Sequence, residues 1–242
     1  MVRESNPEAY PGTLAVDGSA GLWQHPRVPA IDLHSHSDRS DGTFPPERVV
    51  RLAAERGLGL FYEASVAGGI PIHAVLREGI SGDRVTTFYG ILNGTCNYIL
   101  TEIERRGAGF EEVLKEAQAA GYAEADPSAD VDGLDARSKL VILSALAFGE
   151  RIVPGDVYTE GIRRISPIDF GYAHMLKHTI RLVCAARQTA DGLLLSVRPS
   201  LIPQSTILAS VRGAYNAIWV RGRYGADTFY YGRGAGAHPT GV

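Results

Sequence analysis

The stretch Gly121 to Leu140, GYAEADPSADVDGLDARSKL, constrains this chain more than any other. It sets the carboxylates of Glu124, Asp126, Asp130 and Asp135, and one lysine, Lys139, against a run that reads as buried helix. From Leu134 to Phe148 the sequence LDARSKLVILSALAF is apolar on nearly every face after Lys139, as in a helix enclosed by protein. Gly149 supplies its stop. Asp135 and Lys139 stand i to i+4, so the helix puts them on one face, and the helix dipole favours a carboxylate near its start. Lysine and aspartate rarely enter a core unless paired. A lysine held beside a carboxylate in a partly dry cleft can give or take a proton. Taken alone, the same two residues also read as an ordinary surface ion pair.

Composition narrows the function class. The chain has 242 residues, 45% hydrophobic and 21% charged, which suits a globular protein of one large domain or two small ones. Its net charge of -3 gives no basis for a nucleic-acid or membrane-surface partner, which would call for a basic patch. Cys96 and Cys184 form neither a disulfide framework nor a zinc spacing, and they suit a reducing compartment. No window is apolar for long enough to span a bilayer, and MVRESNPEAYPG lacks the form of a signal peptide. The expected location is cytoplasmic.

Residues 1–29 are rich in Pro, Gly, Ser and Ala without a sustained period and read as a leader with little structure, which Trp23 could anchor locally. Residues 30–59 read as a short strand, a polar loop, and a helix from about Pro45 to Arg56 closed by Gly57. The loop carries His34, His36 and Asp41, residue types that can surround a divalent metal. Asp32-Leu33-His34-Ser35-His36 and Ser40-Asp41-Gly42-Thr43 resemble the first motif of the PHP (polymerase and histidinol phosphatase) metal-dependent phosphoesterases. In that family a further Asp-His motif follows, where this chain has Leu58-Gly59-Leu60-Phe61-Tyr62-Glu63. The other histidines, His73, His174, His178 and His238, lack the family's spacing, so a complete multinuclear site is not expected.

Beyond Phe61 the pattern alternates strand and helix. FYEASVAGGIPIHAVLREGI joins a short strand, through Ala67-Gly68-Gly69, to a helix from about Ile70 to Glu78. It is not a dinucleotide fingerprint, since GxGxxG is absent. Arg84 to Tyr89 suits a strand, Asn93-Gly94-Thr95 a turn, and Asn97 to Arg106 a helix ended by Gly107. Backbone amides at Asn93 to Thr95 could hold a carboxylate at a helix start, and a plain helix cap explains the same residues. Phe110 to Ala120 places Phe110, Val113, Leu114 and Ala117 at helical spacing. Later, Tyr172 to Arg187 reads as helix and then strand, and Leu193 to Pro199, Tyr215 to Arg221 and Asp227 to Tyr231 read as strands.

Taken in order, FYEASVAGGIP, GILNGTCNYIL, EEVLKEAQAAGYAEADPSADVDGLDARSKL and FYYGRGAG resemble the catalytic domain of homoserine dehydrogenase over residues 60–242. The resemblance implies an α+β fold, a mixed β-sheet flanked by helices, and a homodimer built on that sheet. It implies interconversion of L-aspartate 4-semialdehyde and L-homoserine with NADP or NAD. By position, Lys139 matches the family's catalytic lysine, and Glu124 the glutamate that binds the substrate's amino end. Asp130 and Asp135 match carboxylates lining that pocket. Glu63 with the backbone of Val66, Gly68 and Ile70 matches a site for Na+ or K+, and Gly236 matches a glycine against the cofactor. Asp126 has no matched role and reads as a cap or solvated turn residue before Pro127.

The family places its Rossmann nucleotide-binding domain before FYEASVAGGIP, where this chain carries the PHP-like stretch, and it continues past the GAGxxPT segment. The expectation is a catalytic half without its usual cofactor half, turning over little alone. A PHP-type phosphoesterase and a non-catalytic dimerisation module are the alternatives.

Overall fold

The structure, a computed structural model, describes residues 45–57, 62–80, 82–225 and 227–234. The chain divides into two compact units, Met1–Tyr62 and Glu63–Val242. In the first, the described part is helix α1, Pro46–Glu55, with proline in its opening turn and Glu47 favouring the positive end of the dipole. Gly57 follows at φ 63, a conformation glycine adopts without strain.

The second unit is built on a six-stranded sheet of order β2-β4-β3-β1-β5-β6. Its strands are β1 (Val85–Ile91), β2 (Tyr158–Thr159), β3 (His178–Thr189), β4 (Gly192–Pro203), β5 (Tyr215–Gly222) and β6 (Thr228–Arg233). The pairing is antiparallel except between β2 and β4, so the sheet is mixed, as expected.

The helices are α2 (Ile72–Ala74, continuing as a π turn through Gly79), α3 (Gly94–Arg106), α4 (Phe110–Ala119), α5 (Ser128–Val131), α6 (Leu134–Phe148) and α7 (Pro167–Met175). One face of the sheet is covered by helices, with Phe88 of β1 stacked on Phe148 of α6 at 6.2 Å. Ile99, Leu100 and Ile103 of α3 and Leu140 and Leu143 of α6 are fully buried there. Each such side chain contributes about 1.5–3 kcal/mol of burial. The other face carries a smaller cluster around Ile91, Val183, Ile202, Leu208 and Ala217, beside a row of aromatic side chains.

Four features differ from the expectations, the first being that within the stretch opening FYEAS the residues Glu63–Ser65 form a 3-10 turn and not a strand. Asn93-Gly94-Thr95 is not a turn ahead of a helix at Asn97: α3 begins at Gly94 and Asn93 is its N-cap, accepting from Cys96 N at 2.8 Å. Helix α7 starts at Pro167, where Asp169 Oδ2 accepts from both Ser166 N at 2.8 Å and Ser166 Oγ at 2.7 Å. Strand β2 is only a two-residue edge, too short to leave a period in the sequence. The run Leu134–Phe148 is a helix with the expected bounds, ended by Gly149 at φ 68.

Candidate functional site

The site forms where β1 gives way to α3 and meets the α5–α6 turn. Gly133 ends α5 and opens α6 in the left-handed conformation, φ 80, so the chain reverses within one residue. Gly161 is pressed beneath this turn: a Cβ there would lie 2.6 Å from Asp132 Cα and overlap Val131 O. Ile162 N donates to Val131 O at 2.8 Å, and Arg163 holds Asp132 through two hydrogen bonds of 2.5 and 3.0 Å. The turn that carries Asp130 and Asp135 is thus clamped from outside.

Inside it, Lys139 Nζ lies 2.7 Å from Asp135 Oδ2 and donates to Leu92 O at 3.3 Å. Asn93, 5% exposed, donates from Nδ2 to Asp130 Oδ1 at 2.6 Å and to Asp135 Oδ2 at 2.8 Å. Asp130 Oδ2 and Asp135 Oδ1 accept no hydrogen bond among the described residues. Lys139 and Asp135 stay partly open, with side-chain exposures of 21% and 31%. The pair is therefore half-buried, neither a core pair nor a free surface pair.

Two buried thiols adjoin this group. Cys96 Sγ meets Asp130 O at 3.1 Å, and Cys184 of β3 meets Ala136 O at 3.7 Å. Burial pushes the Cys96 thiol well up, and the negative charges of Asp130 and Asp135 add to it. Cys184 is pushed up to about 12 by burial, against the opposing charge of Lys139. Both thiols are protonated at neutral pH and are packing groups, not nucleophiles.

Of the residues expected at the site, Asp130, Asp135 and Lys139 come together. Glu124 does not join them: its side chain is exposed, without a hydrogen bond or ion pair among the described residues, while its carbonyl accepts from Gln118 Nε2 at 3.0 Å. Asp126 caps the next turn, accepting from Ser128 N at 3.1 Å. Gly236, His34, His36 and Asp41 lie outside the described residues. Among the described residues no group of three or more His, Cys, Asp or Glu is arranged to hold a metal ion.

Glu63 is committed to the start of α2, its oxygens accepting from His73 N at 2.7 Å and Ala74 N at 3.0 Å. Next to it Ala67 takes φ 53, and the Ile70 carbonyl accepts from Ile72 N at 2.7 Å. The carbonyls of Val66 and Gly68 accept no hydrogen bond among the described residues. The backbone of this turn is joined to the end of β6 by Gly69 N donating to Arg233 O at 2.9 Å. A Cβ on Gly232 would reach Ile70 Cγ1 at 3.0 Å, and one on Gly234 would overlap the Asn216 side chain. Gly232 and Gly234 are therefore packing positions, where Ile70 and Asn216 occupy the space a side chain would take.

The sequence profile of the family described as homoserine dehydrogenase matches residues 71–242. The chain belongs to the homoserine dehydrogenase family. The homoserine dehydrogenase of Neisseria gonorrhoeae is 42% identical over 226 residues, 92% of this chain and 52% of that protein. With so much of the chain inside it, that match necessarily takes in residues 30–59. The homoserine dehydrogenase of Pseudomonas aeruginosa is 47% identical over 188 residues, 78% of this chain and 43% of that protein. The chain thus spans about half the length of the curated relatives it matches. Among solved structures, a homoserine dehydrogenase from Thiobacillus denitrificans superposes with a TM-score of 0.76 at 47% identity, over 80% of this chain and 45% of that one. A hyperthermophilic archaeal homoserine dehydrogenase in complex with NADPH superposes at 0.66 and 29% identity, over 80% of this chain and 56% of that one.

Sequence reasoning took Asn93 to Thr95 as a helix cap or a set of backbone amides for an anion and missed the contacts of the Asn93 side chain. Its capping role was legible in Asn93-Gly94-Thr95 ahead of an apolar helix, but its second hydrogen-bonding edge faces residues more than thirty positions away.

Proposed function

We propose that this chain carries the substrate-binding and proton-transfer half of a homoserine dehydrogenase, acting on L-aspartate 4-semialdehyde and L-homoserine with NADPH or NADH. The observation that carries the reading is Lys139 held between Asp135 Oδ2 and Leu92 O. An ammonium has three N–H donors, and these contacts use two, leaving one for a substrate oxygen. The uncommitted oxygens of Asp130 and Asp135 favour a cationic ligand group, such as the substrate's α-ammonium. Glu124, on the exposed turn ahead of α5, is assigned by resemblance as a further contact for that ammonium.

The chemistry supplied by bound NADPH or NADH is hydride for the aldehyde carbon. As the carbonyl oxygen gains charge, Lys139 gives it a proton, and in the oxidative direction takes it back. Gly236 is assigned to the cofactor by resemblance. Glu63 with the carbonyls of Val66, Gly68 and Ile70 is assigned to Na+ or K+, on the ground that two of these carbonyls have no other partner among the described residues.

Dimerisation through the sheet is supported by the face opposite the helices. Tyr89 and Trp219 lie 5.9 Å apart there, Tyr215 and Tyr231 stack at 5.0 Å, and Leu194 and Tyr231 are exposed. No helix among the described residues is long and apolar enough to cross a membrane, and with the two buried free thiols this suits the cytoplasm. Divalent-metal binding by His34, His36 and Asp41 rests on the motif resemblance alone, and metal analysis of the purified chain checks it.

The test is aldehyde reduction and L-homoserine binding in the chain and in Lys139→Ala. Whatever turnover the chain supports is expected to fall roughly 10²–10⁴-fold in the variant, or to below detection, while homoserine still binds. Equal turnover in the two proteins would contradict the assignment.

A further inference from the structure

Two neighbouring carboxylates repel each other, and nothing in the cationic role of Lys139 controls Asp130, because of the two acids the lysine is bonded only to Asp135. The group that reaches both is Asn93. Its side chain is bonded at each polar atom: Oδ1 accepts from Cys96 N at 2.8 Å, while Nδ2 donates to Asp130 Oδ1 at 2.6 Å and Asp135 Oδ2 at 2.8 Å. An amide nitrogen has two hydrogens and an amide oxygen cannot donate, so the Cys96 contact fixes which way the amide points.

The backbone beneath it is equally set. Gly94, the next residue, lies so close to the chain entering β5 that a Cβ would sit 3.1 Å from Ala214 O. Asn93 is thus a buried amide locked by the first turn of α3, with both donors spent on acids from α5 and α6. Because each N–H takes one oxygen, each carboxylate presents its other oxygen without a bond among the described residues.

We propose that Asn93 is a positioning residue, which turns Asp130 and Asp135 so that their uncommitted oxygens converge on one ligand ammonium while Lys139 stays tied to Asp135. This rests on the homoserine dehydrogenase reading and adds to it the residue that presets the acid pair. The alternative is a plain helix cap, and the two roles separate by substitution. Asn93→Ser and Asn93→Asp both keep an oxygen that can accept from Cys96 N, so α3 keeps its cap. Serine removes the paired donors, and aspartate replaces them with a third negative charge.

The experiment combines the α-helical dichroism and thermal midpoint of each variant, the side-chain carboxyl ¹³C resonances of Asp130 and Asp135 without ligand, and calorimetric titration with L-homoserine. The proposal expects folded variants with native dichroism, displaced carboxyl resonances for both aspartates, and homoserine affinity lowered about tenfold or more in Asn93→Ser. Carboxyl resonances and affinity that match wild type would overturn it. So would unfolding of both variants, which would make Asn93 a residue of the fold alone. If the wild-type chain binds no homoserine, the dehydrogenase reading fails. The ligand-free carboxyl resonances then still decide the role of Asn93, displacement supporting it and identity with wild type sinking it.

Discussion

Substituting Glu104 by glutamine removes one charge from the most enclosed ion pair among the described residues, at the end of α3 away from Asn93. Arg181 is fully buried, and it donates from Nη2 to Glu104 Oε2 at 2.9 Å, with further bonds to Val211 O, Ile180 O and Thr179 Oγ1. The other Glu104 oxygen accepts from Thr179 Oγ1 at 2.7 Å and is bonded to His174 Nε2 at 3.0 Å. With the side chain of Glu104 only 9% exposed, solvent cannot replace what the substitution takes away. Leaving a buried charge without its counter-charge costs about 3–5 kcal/mol, and the retained amide oxygen argues for the lower end, about 3 kcal/mol. For a domain of this size that is a fall of roughly 6–12 °C in Tm.

The pH dependence supplies a second readout. Burial pushes the Glu104 carboxyl up, but hydrogen bonds from Thr179 and His174 and the charge of Arg181 outweigh it, leaving it below its ordinary value of 4.5. A depressed carboxylate stabilises the fold fully above its unfolded value and loses that contribution as pH falls through its folded value. The stability gap between wild type and Glu104→Gln should therefore be constant from neutral pH to about 5 and close below about 4.5. Thermal denaturation followed by circular dichroism across this range measures both quantities. A loss below about 1 kcal/mol at neutral pH, or a gap unchanged in acid, would refute the assignment of this pair as a buried anchor of α3.

Gly161→Ala should destabilise the chain by about 1–3 kcal/mol, because its Cβ meets backbone at Val131 and Asp132 and not the yielding tip of a side chain. It should also weaken homoserine binding by shifting Asp130, and a variant as stable and as tight as wild type would refute the clamp. Cys96 and Cys184 should resist iodoacetamide in the native chain and both react in denaturant, since burial keeps them as thiols. Mass spectrometry of native and unfolded samples reads this out. Exchanging KCl for choline chloride should lower the thermal midpoint if the Glu63 to Ile70 turn holds a monovalent cation, and an unchanged midpoint removes that site.

What was legible in the sequence follows the length of the interaction. Helix α6 announces itself because Leu134 to Phe148 is local, continuous and closed by glycine, and Asp135 with Lys139 follows from helix geometry alone. Asn93 was legible as a cap or a backbone anion site but not by its side chain, since its bonds to Asp130 and Asp135 depend on how α3 packs against α5 and α6. The same limit hid the anchor of α3: Glu104 reads as one more exposed helical acid until β3 brings Arg181 beneath it. Glu124 shows the reverse case, a residue grouped by motif that no side-chain contact among the described residues joins to the rest. It sits in the same motif as Asp130, yet the turn leaves its side chain in solvent, apart from the acids and lysine it was grouped with.

The most direct test of the account is calorimetric titration of the chain with L-homoserine and with 4-hydroxybutyrate, the same alcohol without its amino group. If Asp130 and Asp135 form an ammonium cradle beside Lys139, homoserine binds and loss of the amino group weakens binding at least tenfold. Equal affinity for the two ligands, or binding of neither, would contradict it.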